Sequence, residues 1–196
     1  MMNEIEIRAK RFAYALYPFV KDCRHVRQFC NAVEQFNDAH GTHVEIDWGQ
    51  TRVAFLCADF VVKMDYGKRS ARWGGCEDEC AMYALAEREG YAYLFAKITP
   101  IEVHELKMYA MPRVHGVGNY DDDVYEFLTQ EEVQWLNDHT YDLHCHNYGW
   151  EGERPVIFDY ACNPIDPFEN HYTYSYSPSS KSSLLELSDS ILLDED

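Results

Sequence analysis

The chain has 196 residues and a formal net charge of −17, from 34 acidic and 17 basic residues. Its composition, 46% apolar and 15% aromatic, predicts a folded core and excludes an unfolded acidic chain. The acidity argues against a basic face for the phosphate backbone, so we expect no direct contact with nucleic acid.

The cysteines and the apolar runs indicate the cellular compartment in which we expect the protein. Seven cysteines form an odd set without a compact disulfide spacing, which predicts reduced thiols. The first residues carry acids where a signal peptide carries basic residues. No apolar run approaches the roughly 20 residues that span a bilayer. We therefore expect a soluble, cytoplasmic protein that does not associate with a membrane.

The N-terminal segment, residues 1–40, predicts two packing helices. The first runs from Glu4 to about Tyr17 and ends at Pro18, and the second carries apolar residues from Val20 to Phe36. The pattern of the second helix ends near His40. No chemical motif accompanies this pair, so we interpret it as a structural element.

The apolar period changes from helical to alternating after residue 43. Three β-rich runs follow, Val44 to Trp48, Arg52 to Leu56 and Phe60 to Met64, which predict an antiparallel meander. Lys63 lies inside the apolar third run, where a long cation is costly to bury unless an acid pairs with it. The alternative is a lysine on an edge strand whose ammonium reaches solvent.

A helix is predicted from Cys76 to Arg88, because the segment is rich in strong helix formers and Gly90 supplies a stop. Two of its acids, Glu77 and Glu79, are candidates to reach back to Lys63. Such a contact would neutralise the lysine inside the fold.

The following segment predicts two strands, a loop and a helix. The strands run from Tyr91 to Ile98 and from Glu105 to Met111, and Pro112 ends the second. The glycine- and aspartate-rich stretch from Gly116 to Asp123 is typical of a loop. The helix covers Val124 to about His139 and leads into the polar stretch that begins at residue 141.

The stretch from Tyr141 to Ala161 carries the main chemical motif. Asp142 is followed by Asn147 five positions later, and Asp159 ends an apolar run. A phosphotransferase needs a base beside the attacking hydroxyl, and it needs an amide oxygen and a carboxylate for magnesium. The catalytic loop of kinases has the same spacing from aspartate to asparagine.

The order of these parts resembles the protein-kinase-like fold. The sequence Asp-Leu-His-Cys-His-Asn is similar to the loop of aminoglycoside-phosphotransferase-like kinases. In its size, its extra N-terminal helices and the run leading to Asp159, the chain resembles the early serine/threonine protein kinases of T-seven-type lytic phages, and the resemblance covers about His43 to Ala161. The resemblance implies an α+β fold with an antiparallel nucleotide lobe at 41–113 and a short, mainly helical C-terminal lobe at 114–176. The N-terminal helices at 1–40 precede it, and a serine-rich acidic tail covers 177–196.

The resemblance implies ATP and Mg²⁺ as cofactors and host proteins as substrates. Asp142 would orient the acceptor hydroxyl, His144 would face the γ-phosphate, and Asn147 with Asp159 would hold the metal. Lys63 would contact the α- and β-phosphates. The remaining implied contacts are Glu79 as partner of Lys63, Gly49 in the phosphate loop, and Met111 to Arg113 at the adenine.

Departures from the family pattern support a second hypothesis. The phosphate loop contains Gly49 alone, and the C-terminal lobe is short. The chain could instead be an inactive, acidic protein of kinase fold that inhibits a host factor by covering a basic surface. The sequence identifies neither the substrate nor the oligomeric state.

Three further sites remain open at the level of sequence. Cys76 and Cys80, with His144 and His146, offer zinc ligands, although His-x-His matches no common structural zinc pattern. Cys145 is a candidate nucleophile, but no oxyanion-hole motif accompanies it. Serines of the tail, from Ser177 to Ser190, are candidate autophosphorylation sites.

Overall fold

A five-stranded antiparallel sheet organises the structure, in the order β1-β2-β3-β5-β4. The computed structural model describes residues 4–49, 51–66, 75–116, 124–140, 147–151 and 154–160. The strands of this sheet are β1 Glu45–Trp48, β2 Arg52–Leu56, β3 Phe60–Asp65, β4 Thr99–Val103 and β5 Leu106–Pro112. A separate hairpin joins β6 Tyr148–Glu151 to β7 Arg154–Ile157.

The helices in the described ranges are α1 Glu4–Val20, α2 Val26–His40, α3 Cys76–Glu89 and α4 Gln130–His139, with short 3-10 turns at Ala92–Leu94 and Val124–Phe127. The protein is therefore of the α+β class. The predicted antiparallel meander of the first three strands is confirmed, because β1 pairs with β2 and β2 with β3 in antiparallel register. The domain boundaries predicted after residues 40, 113 and 176 remain predictions.

The two faces of the sheet carry two different cores. Successive side chains of a strand point to opposite faces. On β3, Val62 and Met64 pack with the N-terminal helices, whereas Val61 packs with α3 and the C-terminal hairpin. Both faces are covered, so β3 is buried from Phe60 to Met64. Lys63 shares its face of the sheet with Val61. Its charge therefore lies in the second core, which the sheet forms with α3 and the hairpin β6–β7.

Helix α1 continues through Pro18, so the predicted end before this residue is wrong. The helix buries Ala13, Leu16 and Val20 against the sheet. Pro18 has no amide hydrogen, so the helix lacks one backbone hydrogen bond there. Burial of Val20 compensates for that loss. Helix α2 begins at Val26, later than predicted.

Helix α3 begins where the carboxylate of Asp65 meets its first turn. The amide of Cys76 donates to Asp65 Oδ1 at 3.0 Å, and the negative charge suits the helix N-terminus. At Gly75, a Cβ atom would lie 2.7 Å from Asp65 Oδ2, so a larger residue would require the Asp65 carboxylate to shift. The helix ends at Gly90 with φ 89°. The predicted helix and its stop are confirmed, and its first turn directs Glu79 into the core.

The predicted strand from Tyr91 to Ile98 is wrong. The chain forms a 3-10 turn there, and the strand begins at Thr99. Phe95, Ala96 and Ile98 are all buried in the second core instead of alternating between two faces. The amide of Ala96 donates to Ile157 O at 2.8 Å, which ties this segment to β7. A long-range contact has replaced the local β preference.

The predicted helix from Val124 to His139 is divided into two pieces. A 3-10 turn ends at Phe127, and α4 begins after Thr129, whose side chain accepts from the amide of Glu132. This capping box starts a new helix inside the predicted one. The other predicted features of the C-terminal part, the loop at 117–123 and the tail at 177–196, lie outside the described residues. None of the helices described is sufficiently long and apolar to cross a membrane.

Candidate functional site

Four charged side chains meet on the face of the sheet that carries the second core. Lys63 Nζ lies 2.9 Å from Glu79 Oε1, Arg52 Nη1 lies 2.9 Å from the same oxygen, and Arg52 Nη2 lies 2.5 Å from Asp159 Oδ1. Two cations thus balance two carboxylates. The members come from β2, β3, α3 and the segment after β7, so the fold itself assembles the cluster.

Lys63 lies at the centre of this cluster with 7% of its side chain exposed. Its ammonium donates to both oxygens of Glu79, at 2.9 and 3.1 Å, and to Phe158 O at 2.6 Å. These contacts use all three donors of the ammonium. Strand β3 lies between β2 and β5, so the alternative of an edge-strand lysine reaching solvent is wrong.

Glu79 is fully buried and is the partner of the lysine. Burial raises the pKa of Glu79, while the charges of Lys63 and Arg52 oppose that rise. Glu77, the other candidate, instead pairs with Lys107 at the surface. The choice between the two glutamates follows from helix geometry, because side chains two positions apart on a helix point in different directions.

The hairpin β6–β7 brings Asn147 beside Asp159. Because Tyr148 pairs with Ile157, the residues just outside the hairpin also face each other. The backbone carbonyl of Asn147 accepts hydrogen bonds from the backbone amides of Phe158, at 2.8 Å, and Asp159, at 3.3 Å. Asn147 is buried, whereas 38% of the Asp159 side chain is exposed.

The pKa of Asp159 is lowered by its charged neighbours. Burial alone would raise the pKa of Asp159, but the charges of Lys63 and Arg52 and the hydrogen bond from Arg52 hold it below its usual value. A carboxylate and an amide oxygen are hard ligands, and Mg²⁺ is commonly held by one or two protein oxygens together with substrate phosphates. Asp159 and Asn147 therefore fit that requirement, and the metal would supply charge neutralisation there.

The sequence interpretation did not identify Arg52 as a member of this site. The register of the predicted meander would have placed Arg52 on the same face as Lys63. Arg52 pairs with Asp65 and Ala54 with Lys63, so these four residues lie on the same face of the sheet. The Arg52 side chain is only 16% exposed. Burial lowers the pKa of Arg52, but Glu79 and Asp159 outweigh that effect and the pKa rises.

The other predicted nucleotide contacts make different interactions in the described part of the chain. Gly49 donates its amide to Arg52 O at 2.9 Å and accepts from the Tyr66 hydroxyl at 2.6 Å. Met111 is buried in the second core. Arg113 directs its side chain to Cys57 O at 2.8 Å and to Glu45 at 3.2 Å, which holds the β2–β3 turn.

Asp142 and His144 lie outside the described residues, as do His146 and Cys145 of the zinc and nucleophile hypotheses. Within the described ranges, no three His, Cys, Asp or Glu side chains are grouped to hold a metal ion. Cys76 is buried at the start of α3, and burial raises its pKa.

Comparisons with known proteins give one distant likeness. No family model matches the chain, and no curated protein matches it. A solved structure of an aminoglycoside phosphotransferase, the ternary complex of APH(2")-IIa with streptomycin and ATP, is 14% identical with a TM-score of 0.30. The match covers 59% of this chain and 41% of that chain, so this chain corresponds to less than half of that protein.

Proposed function

We propose that the chain is a protein-kinase-like phosphotransferase that uses ATP with Mg²⁺ and phosphorylates serine or threonine hydroxyls of host proteins. The observation that supports it is the buried pair of Lys63 and Glu79 beside Asp159 and Asn147. This set unites a phosphate-binding cation with two oxygen ligands for a metal.

The burial of the Lys63–Glu79 pair argues for a functional role. Taking two charges out of water costs free energy, and apolar residues of similar size often stabilise a core as well or better. A chain selected only for stability would have no need of a lysine at the centre of β3. A site for a polyphosphate, in contrast, requires a fixed cation in a dry environment.

The proposed reaction uses the following groups. The acceptor hydroxyl attacks the γ-phosphorus, the bond to the β–γ bridging oxygen breaks, and ADP leaves with that oxygen. Asp142 receives the hydroxyl proton. Lys63 exchanges its contact with Phe158 O for the α- and β-phosphates. His144 faces the γ-phosphate, and Asp159 with Asn147 would hold the metal. Positioning and charge neutralisation of this kind supply most of the catalysis in phosphoryl transfer.

A thermal-shift and transfer experiment tests this proposal. We expect saturating Mg-ATP to raise the melting temperature, since a ligand at 100 times its Kd stabilises a protein by about 2.7 kcal/mol. Radiolabel from ATP should reach a mixture of host proteins. Asp159→Asn should abolish the transfer and reduce the thermal shift, whereas both should be retained in Asp38→Asn, a matched change at an exposed acid of α2. Absence of both effects in the wild type contradicts the proposal.

The contact of Arg52 with Asp159 favours one second candidate. A guanidinium on the proposed metal ligand, together with the net charge of −17, fits an inactive protein that covers a basic host surface. Such a protein would not respond to Mg-ATP. It would bind a polylysine matrix in a salt-sensitive manner that Asp159→Asn leaves unchanged.

A further inference from the structure

Arg52 and Lys63 differ in how fully their donors are used. All three donors of Lys63 have acceptors, in Glu79 and Phe158. Arg52 Nη1 is buried and lies 2.9 Å from Glu79 Oε1, yet in the described part of the chain it has no acceptor at hydrogen-bonding geometry. The guanidinium therefore keeps a buried donor that is not satisfied, which is unfavourable unless a ligand supplies an acceptor.

Arg52 also contacts a carboxylate oxygen of Asp159, the proposed metal ligand. Its Nη2 lies 2.5 Å from Asp159 Oδ1, and a bound Mg²⁺ would require an oxygen at about 2.0–2.1 Å. A divalent cation on that oxygen would meet the positive guanidinium at close range. The cluster is already neutral, with two cations and two carboxylates, so a metal alone brings uncompensated charge.

Nucleotide phosphates would change this balance. They bring several negative charges and oxygen acceptors, and a guanidinium binds phosphate through two parallel hydrogen bonds. Arg52 is the first residue of strand β2, and it lies on the same face of the sheet as Lys63. Its long side chain can move from the carboxylate to a phosphate while its backbone remains in the sheet.

We propose that Arg52 is a phosphate-binding residue that neutralises Asp159 in the nucleotide-free protein and moves to the phosphates when nucleotide binds. This inference rests on the proposed function, since it concerns the same site. Two consequences follow. A divalent cation binds poorly to the protein without nucleotide, and nucleotide binds measurably without a divalent cation.

The first measurement is binding of Mn²⁺ alone, followed by electron paramagnetic resonance, because Mn²⁺ suits the same oxygen ligands as Mg²⁺. We expect Arg52→Gln to bind Mn²⁺ about tenfold more tightly than the wild type. The gain should disappear in the double variant Arg52→Gln with Asp159→Asn. Equal Mn²⁺ affinity in the wild type and Arg52→Gln would overturn the inference.

The second measurement is binding of the non-hydrolysable ATP analogue AMP-PNP in EDTA, by calorimetry. We expect Arg52→Gln to weaken this binding about tenfold, as for the loss of a charge-assisted hydrogen bond. Arg27→Gln, at an exposed position of α2, should bind as the wild type does. Unchanged affinity in Arg52→Gln overturns this inference alone, whereas no binding by any variant, with or without metal, overturns the proposed function as well.

Arg52→Lys is the second variant should the glutamine variant fail to fold. It keeps the charge beside Glu79 but loses the planar fork that binds phosphate bidentately. We expect AMP-PNP binding in EDTA to weaken about threefold, a smaller loss than for glutamine. Wild-type affinity in this variant would contradict a bidentate role for Arg52.

Discussion

The ammonium of Lys63 donates to both carboxylate oxygens of Glu79, at 2.9 and 3.1 Å, inside the second core. The lysine comes from the central strand β3 and the glutamate from the first turns of α3. This contact connects the sheet to the helix through charge and not only through apolar packing. Both residues depend on it, because neither has access to enough water to satisfy its charge.

Lys63→Met should destabilise the protein by about 3 kcal/mol, the lower end for breaking a buried pair, because Arg52 still contacts Glu79. Urea unfolding followed by circular dichroism measures the change. Lys107→Met is the matched control, since Lys107 pairs with Glu77 at the surface and 67% of each side chain is exposed. We expect no measurable change in the control. Equal effects of the two substitutions would show that burial of the Lys63 pair has no energetic consequence.

Arg113→Ala should lower the stability by about 1 kcal/mol without changing nucleotide affinity. The reason is that the substitution removes the hydrogen bonds of the Arg113 side chain to Cys57 O and Glu45. Its described contacts thus hold the β2–β3 turn. Chemical unfolding and AMP-PNP calorimetry measure the two quantities. A tenfold loss of affinity at unchanged stability would instead support the adenine contact that the sequence predicted.

Gly149→Ala should destabilise the protein by about 1–3 kcal/mol, the usual range for overpacking. A Cβ atom at this position would lie 2.6 Å from Val114 Cγ1 and 2.9 Å from His115 O, which is backbone and cannot move aside. Thermal unfolding measures the effect. Gly49→Ala is the control, because a Cβ there meets nothing within 4 Å. If the two variants melt alike, the close approach of β6 to residues 114–116 is absent in solution.

Glu132→Gln should remove part of the stability at neutral pH and little of it in acid. Burial raises the pKa of Glu132, but hydrogen bonds from Tyr93 and Thr129 outweigh burial and lower it. A lowered pKa contributes stability above the ordinary pKa of glutamate, about 4.3, and the contribution is lost as the pH falls through the folded-state value. Urea unfolding from pH 7 to pH 3 should therefore show a difference between wild type and variant that shrinks with acidity.

The matched control for this pH dependence is Glu34→Gln, at an exposed position of α2. At pH 7 the stability of this control should differ from the wild type by less than that of Glu132→Gln does. A difference between Glu132→Gln and the wild type that grows toward pH 3 would contradict the assigned direction of the pKa shift.

Several elements could be predicted from local sequence because local physics decides them. Helix α3 has strong helix formers and ends at Gly90, whose φ of 89° suits glycine. The strands β1 to β3 follow short turns and pair with their neighbours in the chain. The end of α1 and the structure of residues 91–98 were predicted wrongly, because tertiary contacts decide them. Helix α1 extends past Pro18 to bury Val20, and Ala96 is held by its hydrogen bond to Ile157.

The sequence by itself determined the α+β composition, the meander and the unusual placement of Lys63 in an apolar strand. It also determined the polar motif with Asn147 and Asp159, since residue type and spacing are local properties. Only the tertiary structure decided that Glu79 and not Glu77 pairs with Lys63, and that Arg52 bridges Glu79 and Asp159. The physical reason is that Arg52 and Asp159 are 107 positions apart, so their contact depends on how the sheet, α3 and the hairpin pack together.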